Sequence, residues 1–223
     1  MKKKSFSIHD LQSIQPLTHP QEEFFRHYND YEVLSLTGAA GSGKTAIALF
    51  LAFKDVVSES CYKSVKIVRS AVPTREQGYL PGSILDKESV YETPYVNLCD
   101  FIFKYKTNNY KNLKDCGVVE FVTTSYLRGE TWDDCIVIVD ECENLTYHEL
   151  DSVITRIGER SKIVFCGDTT QTDLIVRKND RSGWDDFEPI LQRMSEYLNI
   201  HFTKHDVVRS GLVKSYLIAK EEM

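Results

Sequence analysis

Short runs of apolar, mostly β-branched residues recur along the chain: Val33–Leu36, Val65–Val68, Val118–Val122, Ile136–Val139, Ile163–Cys166 and Ile200–Phe202. Most are near-continuous rather than alternating, the pattern of strands covered on both faces. Between them lie stretches with helical spacing: Lys44–Val57, Pro94–Phe103, Tyr147–Ile157, Phe187–Leu198 and Leu212–Ala219. Strands alternating with helices predict an α/β fold, a doubly wound and mainly parallel sheet with helices on both faces. Residues 1–16 are expected to form a tail and residues 17–223 a single domain. Arg75–Glu92 and Lys104–Cys116 carry the weakest pattern and are expected to be irregular.

At 223 residues the chain suffices for one substantial α/β domain and not for two. With 42% apolar and 27% charged residues it has the balance of a globular protein rather than a disordered one. No apolar run approaches the roughly 20 residues that span a bilayer, and no apolar stretch follows Lys2–Lys4 to make a secretory signal. The six cysteines form no C-x-x-C pair, and several lie in apolar runs. A reduced, cytoplasmic protein without membrane contact is therefore expected. The net charge of −6 offers no global positive field, so any nucleic acid must be met by a local groove. One candidate is KYKTNNYKNLKDC (104–116), whose four lysines and two tyrosines could neutralise and stack on a single strand. The same segment also reads as a solvated loop.

Residues 38–45 read GAAGSGKT and satisfy G-x-x-x-x-G-K-[ST]. Gly38, Gly41 and Gly43 let the backbone curl around phosphate, so that amides of Ala39, Ala40 and Ser42 turn inward with theirs. Lys44 supplies a compact cation to the β- and γ-phosphates, and Thr45 offers a hydroxyl to magnesium. The motif follows an apolar strand and opens an apolar helix, as a phosphate loop requires. A second strand, IVIVDE (136–141), delivers Asp140 to hold magnesium, usually through bound water, and Glu141 to orient or deprotonate the attacking water. A third, KIVFC, runs into GDTTQ. In a RecA-like P-loop sheet this strand inserts beside the phosphate-loop strand, bringing Gln171 within reach of the γ-phosphate.

These elements, in this order, resemble the PhoH family, whose core is similar to the first motor domain of superfamily-one helicases. The resemblance rests on LTGAAGSGKT, VRSAVPTREQGYLPG (68–82), FVTTSYLRGETWDDCIVIVDECENLT, TRIGERSKIVFCGDTTQTDL (155–174) and HDVVRSGLV (205–213). It covers roughly residues 17 to 219. It implies that Gln21 reads adenine, since helicase-like proteins place a glutamine ahead of the phosphate loop. It also implies that Arg209, after the last strand, contacts the γ-phosphate from its own subunit. Two positions depart from the family pattern: Glu130 stands where a second arginine follows R-G, and Glu143 where D-E-A-Q-N has an amide.

The resulting expectation is an ATPase that uses magnesium and works on, or responds to, single-stranded RNA or DNA. An ATP-dependent regulatory or assembly protein is the alternative, and a small-molecule kinase is disfavoured because Glu141 directly follows Asp140. Motors of this kind bind ATP between two domains, and only one is recognised here. A homo-oligomer, possibly a hexamer, is therefore expected to complete the site. Arg156 is the candidate finger toward a neighbour's γ-phosphate; its other reading is a cation at a helix end.

Overall fold

Six parallel strands form one sheet in a computed structural model of the chain, which describes residues 6–58, 61–70, 84–104, 107–127, 129–168 and 182–221. They are β1 (Val33–Gly38), β2 (Ser64–Arg69), β3 (Val119–Thr123), β4 (Cys135–Asp140), β5 (Lys162–Gly167) and β6 (Tyr197–Phe202). Their spatial order is β3-β2-β4-β5-β1-β6. The strand after Asp140 thus lies between β4 and β1, the order expected of a RecA-like core.

The apolar runs are continuous because successive side chains enter two different cores. Leu34, Leu36, Val65, Ile67, Ile136, Ile138 and Val164 face one layer, and Val33, Val137, Val139, Ile163 and Phe165 face the other. The first layer is covered by α1 (His19–His27), α2 (Lys44–Val57), α3 (Ile84–Ile102) and α4 (Asn109–Asp115). The second is covered by α5 (Tyr147–Ile154) and α6 (Trp184–Leu191). A final helix, α7 (Gly211–Glu221), follows β6.

Several sequence expectations are corrected. Helix α3 begins ten residues before Pro94, inside the stretch expected to be irregular. A proline removes one backbone donor and normally opens a helix, but here burial of Tyr95, Cys99 and Ile102 carries the helix through it. The lysine-rich 104–116 segment contains α4, with Tyr110 and Leu113 in the core. Tyr110 is therefore unavailable for stacking on a base, and Tyr105 lies outside the described residues. The helix expected over Phe187–Leu198 sits earlier, at Trp184–Leu191, and Tyr197 and Leu198 instead pair with Val33 and Leu34. Helix α5 stops at Ile154 rather than Ile157.

Residues 6–11 also depart from the tail expected of residues 1–16. Phe6 and Leu11 are buried, Phe6 packs edge-on against Phe103, and the Gln12 amide donates to the Ile102 carbonyl at 2.7 Å. Two apolar side chains were enough to anchor a segment whose polar residues resembled a tail. Lys162, the first residue of β5, is buried and donates Nζ to the Tyr28 carbonyl at 2.6 Å and to the Tyr31 carbonyl, tying β5 to the turn after α1.

Candidate functional site

The phosphate loop joins β1 to α2 at the carboxyl edge of the sheet, where ligands of such folds bind. Gly38 has φ 106° because β6 comes very close: a Cβ there would lie 2.0 Å from the Phe202 carbonyl oxygen. The Ala39 amide donates to that same oxygen at 2.9 Å. Gly41 has φ 76°, and a Cβ on it would meet Arg209 Cγ at 2.9 Å. The Val208 amide donates to the Gly41 carbonyl at 3.0 Å. Arg209 is therefore laid against the phosphate loop of its own chain.

Lys44 is buried at the start of α2, and its Nζ donates to the carbonyls of Gly38 at 2.7 Å and Ala39 at 2.8 Å. Burial pulls its pKa down, and the charge of Asp168 pushes it back. Asp168 follows β5 and accepts the Ala40 amide at 3.1 Å, placing an anion on a loop donor. Ser42, next in the loop, donates its hydroxyl back to the Ala39 carbonyl at 2.9 Å.

Thr45 Oγ1 donates to Asp140 Oδ1 at 2.7 Å. The hydroxyl from α2 and the carboxylate from β4 meet although 95 residues separate them. Both are hard oxygen ligands, the donor type that magnesium takes, and the loop's glycine cradle and buried ammonium fit a nucleotide's phosphates. Asp140's other oxygen accepts the Tyr95 hydroxyl at 2.8 Å. Burial drives the Tyr95 phenol well above its usual range, so it acts as a donor.

Glu141 begins the turn after β4 with a left-handed backbone (φ 52°, ψ 47°) and pairs with Arg69 at the end of β2. Burial raises its carboxyl pKa and Arg69 opposes the rise. Glu143, two residues on, is buried, and its pKa is pushed up to about 8 mainly by desolvation, while backbone hydrogen bonds pull it down. Thr146 and Glu149 then form a reciprocal capping box that closes the turn and starts α5.

Gln21 lies on α1 and is buried. Its Oε1 accepts from the Leu17 amide at 2.8 Å, and its Nε2 donates to the Ser42 carbonyl at 2.8 Å. The amide expected to read adenine is here joined to the phosphate loop itself. Gln171 lies outside the described residues. Arg156 lies just past α5, at the amino edge of the sheet, away from the phosphate loop. Its guanidinium donates to the carbonyls of Leu127 at 3.0 Å and Glu130 at 3.2 Å. Tyr95, Arg69 and Asp168 were not singled out as site residues. Asp168 sits in a motif that was noticed, whereas Tyr95 has no local signal because only the fold brings α3 to Asp140.

Residues 13–220 match the PhoH-like protein family. The PhoH-like protein of Synechocystis is 33% identical over 206 residues, covering 92% of this chain and 61% of the relative. The PhoH-like protein of Bacillus subtilis is 31% identical over 212 residues, covering 94% and 65%. Protein PhoH of Escherichia coli is 28% identical over 200 residues, covering 89% and 56%. The chain thus spans less than two thirds of the length of each of these relatives. Among solved structures, the Pif1 helicase of Candida albicans superposes with a TM-score of 0.42 at 16% identity, covering 85% of this chain and 41% of that one. The SWI2/SNF2 ATPase core of Sulfolobus solfataricus gives 0.43 at 13% identity, covering 87% and 47%. Those superpositions are loose, and the fold assignment rests on the chain's own sheet order.

Proposed function

Because this chain belongs to the PhoH family, we propose that it hydrolyses ATP with magnesium and couples turnover to single-stranded RNA or DNA. The observation that carries the ATPase reading is the Thr45–Asp140 hydrogen bond at 2.7 Å beside buried Lys44, which brings the Gly38–Thr45 loop and the Asp140 carboxylate together at one sheet edge. Thr45 would hold magnesium through its hydroxyl and Asp140 through bound water. The ion would neutralise charge on the β- and γ-phosphate oxygens.

The chain's own groups would then act as follows. Lys44 leaves the Gly38 and Ala39 carbonyls and pairs with phosphate oxygens. Glu141 accepts a hydrogen bond from the attacking water and takes up its proton. Arg209, already against Gly41, places its guanidinium near the γ-phosphate, and Gln171 is assigned to the same group. Gln21 is assigned to adenine, which requires its amide to leave Ser42 or Leu17. A homo-oligomer, with Arg156 reaching a neighbour's site, is part of the same reading. The nucleic-acid assignment is supported by the motif resemblance to superfamily-one motors.

The test is steady-state ATPase with and without single-stranded RNA and DNA over a range of salt. Magnesium-dependent turnover stimulated by polynucleotide is expected. Glu141→Gln should retain nucleotide binding and lose about 100-fold or more in turnover. Turnover without stimulation by either polymer would favour an ATP-dependent regulatory protein, and wild-type turnover in Glu141→Gln would remove the assigned base.

A further inference from the structure

The two acids that close β4 face different partners. Asp140 turns toward the phosphate loop and is fixed there on both oxygens, by Thr45 and by Tyr95. Glu141 is held elsewhere. Its carboxylate pairs with the Arg69 guanidinium and also accepts from the Asn144 side chain. Its backbone adopts the left-handed conformation, which side chains other than glycine enter sparsely.

Sheet order gives that pairing a direction. β2, which ends in Arg69, lies on one side of β4, while β5 and then β1 with the phosphate loop lie on the other. A carboxylate drawn onto the end of β2 is therefore drawn away from the loop that cradles phosphate. Arg69 is well placed to keep it there. Its side chain is only 15% exposed, and its guanidinium lies 6.0 Å from the centre of the Tyr91 ring on α3. The Ser70 hydroxyl, the next residue along, reaches Glu149 at 3.5 Å. Glu141 is the more accessible partner, with its side chain 41% exposed, so it is the one with room to swing.

We infer that Arg69 is a positioning residue that locks the Glu141 carboxylate away from the phosphate loop, and that turnover requires this ion pair to open. The inference rests on the assignment of Glu141 as the group that handles the attacking water. It makes a prediction opposite in sign to the usual effect of deleting a charged residue near a site. If Arg69 supported the chemistry, its loss would slow turnover; as a lock, its loss speeds it.

The experiment compares the full chain with Arg69→Met, which keeps most of the side-chain volume, Arg69→Lys, Glu141→Gln, and Arg69→Met combined with Glu141→Gln. If the locked arrangement holds most molecules, Arg69→Met raises kcat about three- to tenfold while KM and calorimetric Mg-ATP affinity stay put. Arg69→Lys, which keeps charge without the fork, falls between. The gain disappears when Glu141→Gln is added. Thermal unfolding of the wild type, Arg69→Met, Glu141→Gln and their double variant adds a readout independent of turnover: coupling between positions 69 and 141 is present without nucleotide, persists with a non-hydrolysable ATP analogue, and is lost with magnesium, ADP and aluminium fluoride, a mimic of the transition state. The lock is overturned if Arg69→Met binds ATP normally and its kcat equals or falls below wild type. Should that variant fold poorly, a 69–141 coupling measured with Arg69→Lys and its double variant with Glu141→Gln that the transition-state mimic leaves unchanged overturns it as well. Undiminished turnover in Glu141→Gln would instead sink the base assignment and the lock together, which separates the two failures.

Discussion

The Asp168 carboxylate accepts the Ala40 amide at 3.1 Å, so an acid at the end of β5 occupies a donor of the phosphate loop. A nucleotide's phosphates must displace that acid or tolerate its charge. Removing one nearby like charge is worth about 1 kcal/mol, so Asp168→Asn should tighten ATP binding roughly fivefold. Lys44→Ala should abolish it, because the loop then loses its buried cation. Isothermal titration reads both; unchanged affinity in Lys44→Ala would contradict the placement of the phosphates.

Gln21 makes a second prediction. Its two hydrogen bonds join the start of α1 to Ser42 in the loop. Leaving buried partners unmatched costs about 1 to 3 kcal/mol, so Gln21→Ala should lower the unfolding midpoint by several degrees. If the amide also reads adenine, the preference for ATP over GTP should collapse toward parity in competition binding. A stability loss with full ATP preference would confine Gln21 to a structural role.

Glu143 makes the fold pH-dependent. Its pKa is raised from 4.5 to about 8 in the folded chain, first by burial, so between these values the folded state holds a proton that the unfolded chain has lost. Stability from this group is therefore fully present below about pH 4.5 and drains away as pH rises toward 8. Glu143→Gln, which restores the amide of the family pattern, should flatten that slope and raise the melting temperature most near pH 8. Parallel pH profiles for the two proteins would refute it.

Arg156 tests how the site is completed. A finger role would require its guanidinium to leave the Leu127 and Glu130 carbonyls. Mixing Lys44→Ala with Arg156→Ala, each inactive alone, should recover ATPase if fingers act across exchanging subunits. Activity no greater than the average of the two, despite verified exchange, leaves Arg156 as a structural partner of the Leu127 and Glu130 carbonyls.

The parts of this fold legible in the sequence were those where one local pattern decides the outcome. Doubly buried strands read as continuous apolar runs, and the loop from Gly38 to Thr45 and the pair Asp140–Glu141 carry fixed spacings. Where tertiary packing overrode local preference, the reading failed. Pro94 looked like a helix start and lies mid-helix, and Tyr110 looked like an exposed aromatic and is in the core. The spacing of Phe187, Leu191 and Leu198 suggested one helix, but Leu198 belongs to β6 because Leu34 is its neighbour in the sheet. Tyr95 had no local signal, and Arg69, although it stands in the family-like segment 68–82, acquires its partner only when β2 reaches the end of β4.

The position of β1 in the sheet also sets a timetable for synthesis. β1 is made early, yet both of its neighbours, β5 and β6, come from the far end of the chain. Ser35 hydrogen-bonds Asn199 at 2.9 Å across a sequence separation of 164, and Thr37 reaches the same side chain at 3.0 Å. The loop opening at Gly38 leans on the Phe202 carbonyl and on Val208. Nascent chains in which β6 and Val208 have not yet emerged carry the Gly38–Thr45 motif without these contacts, so the loop reaches the arrangement described here only after β6 has joined the sheet.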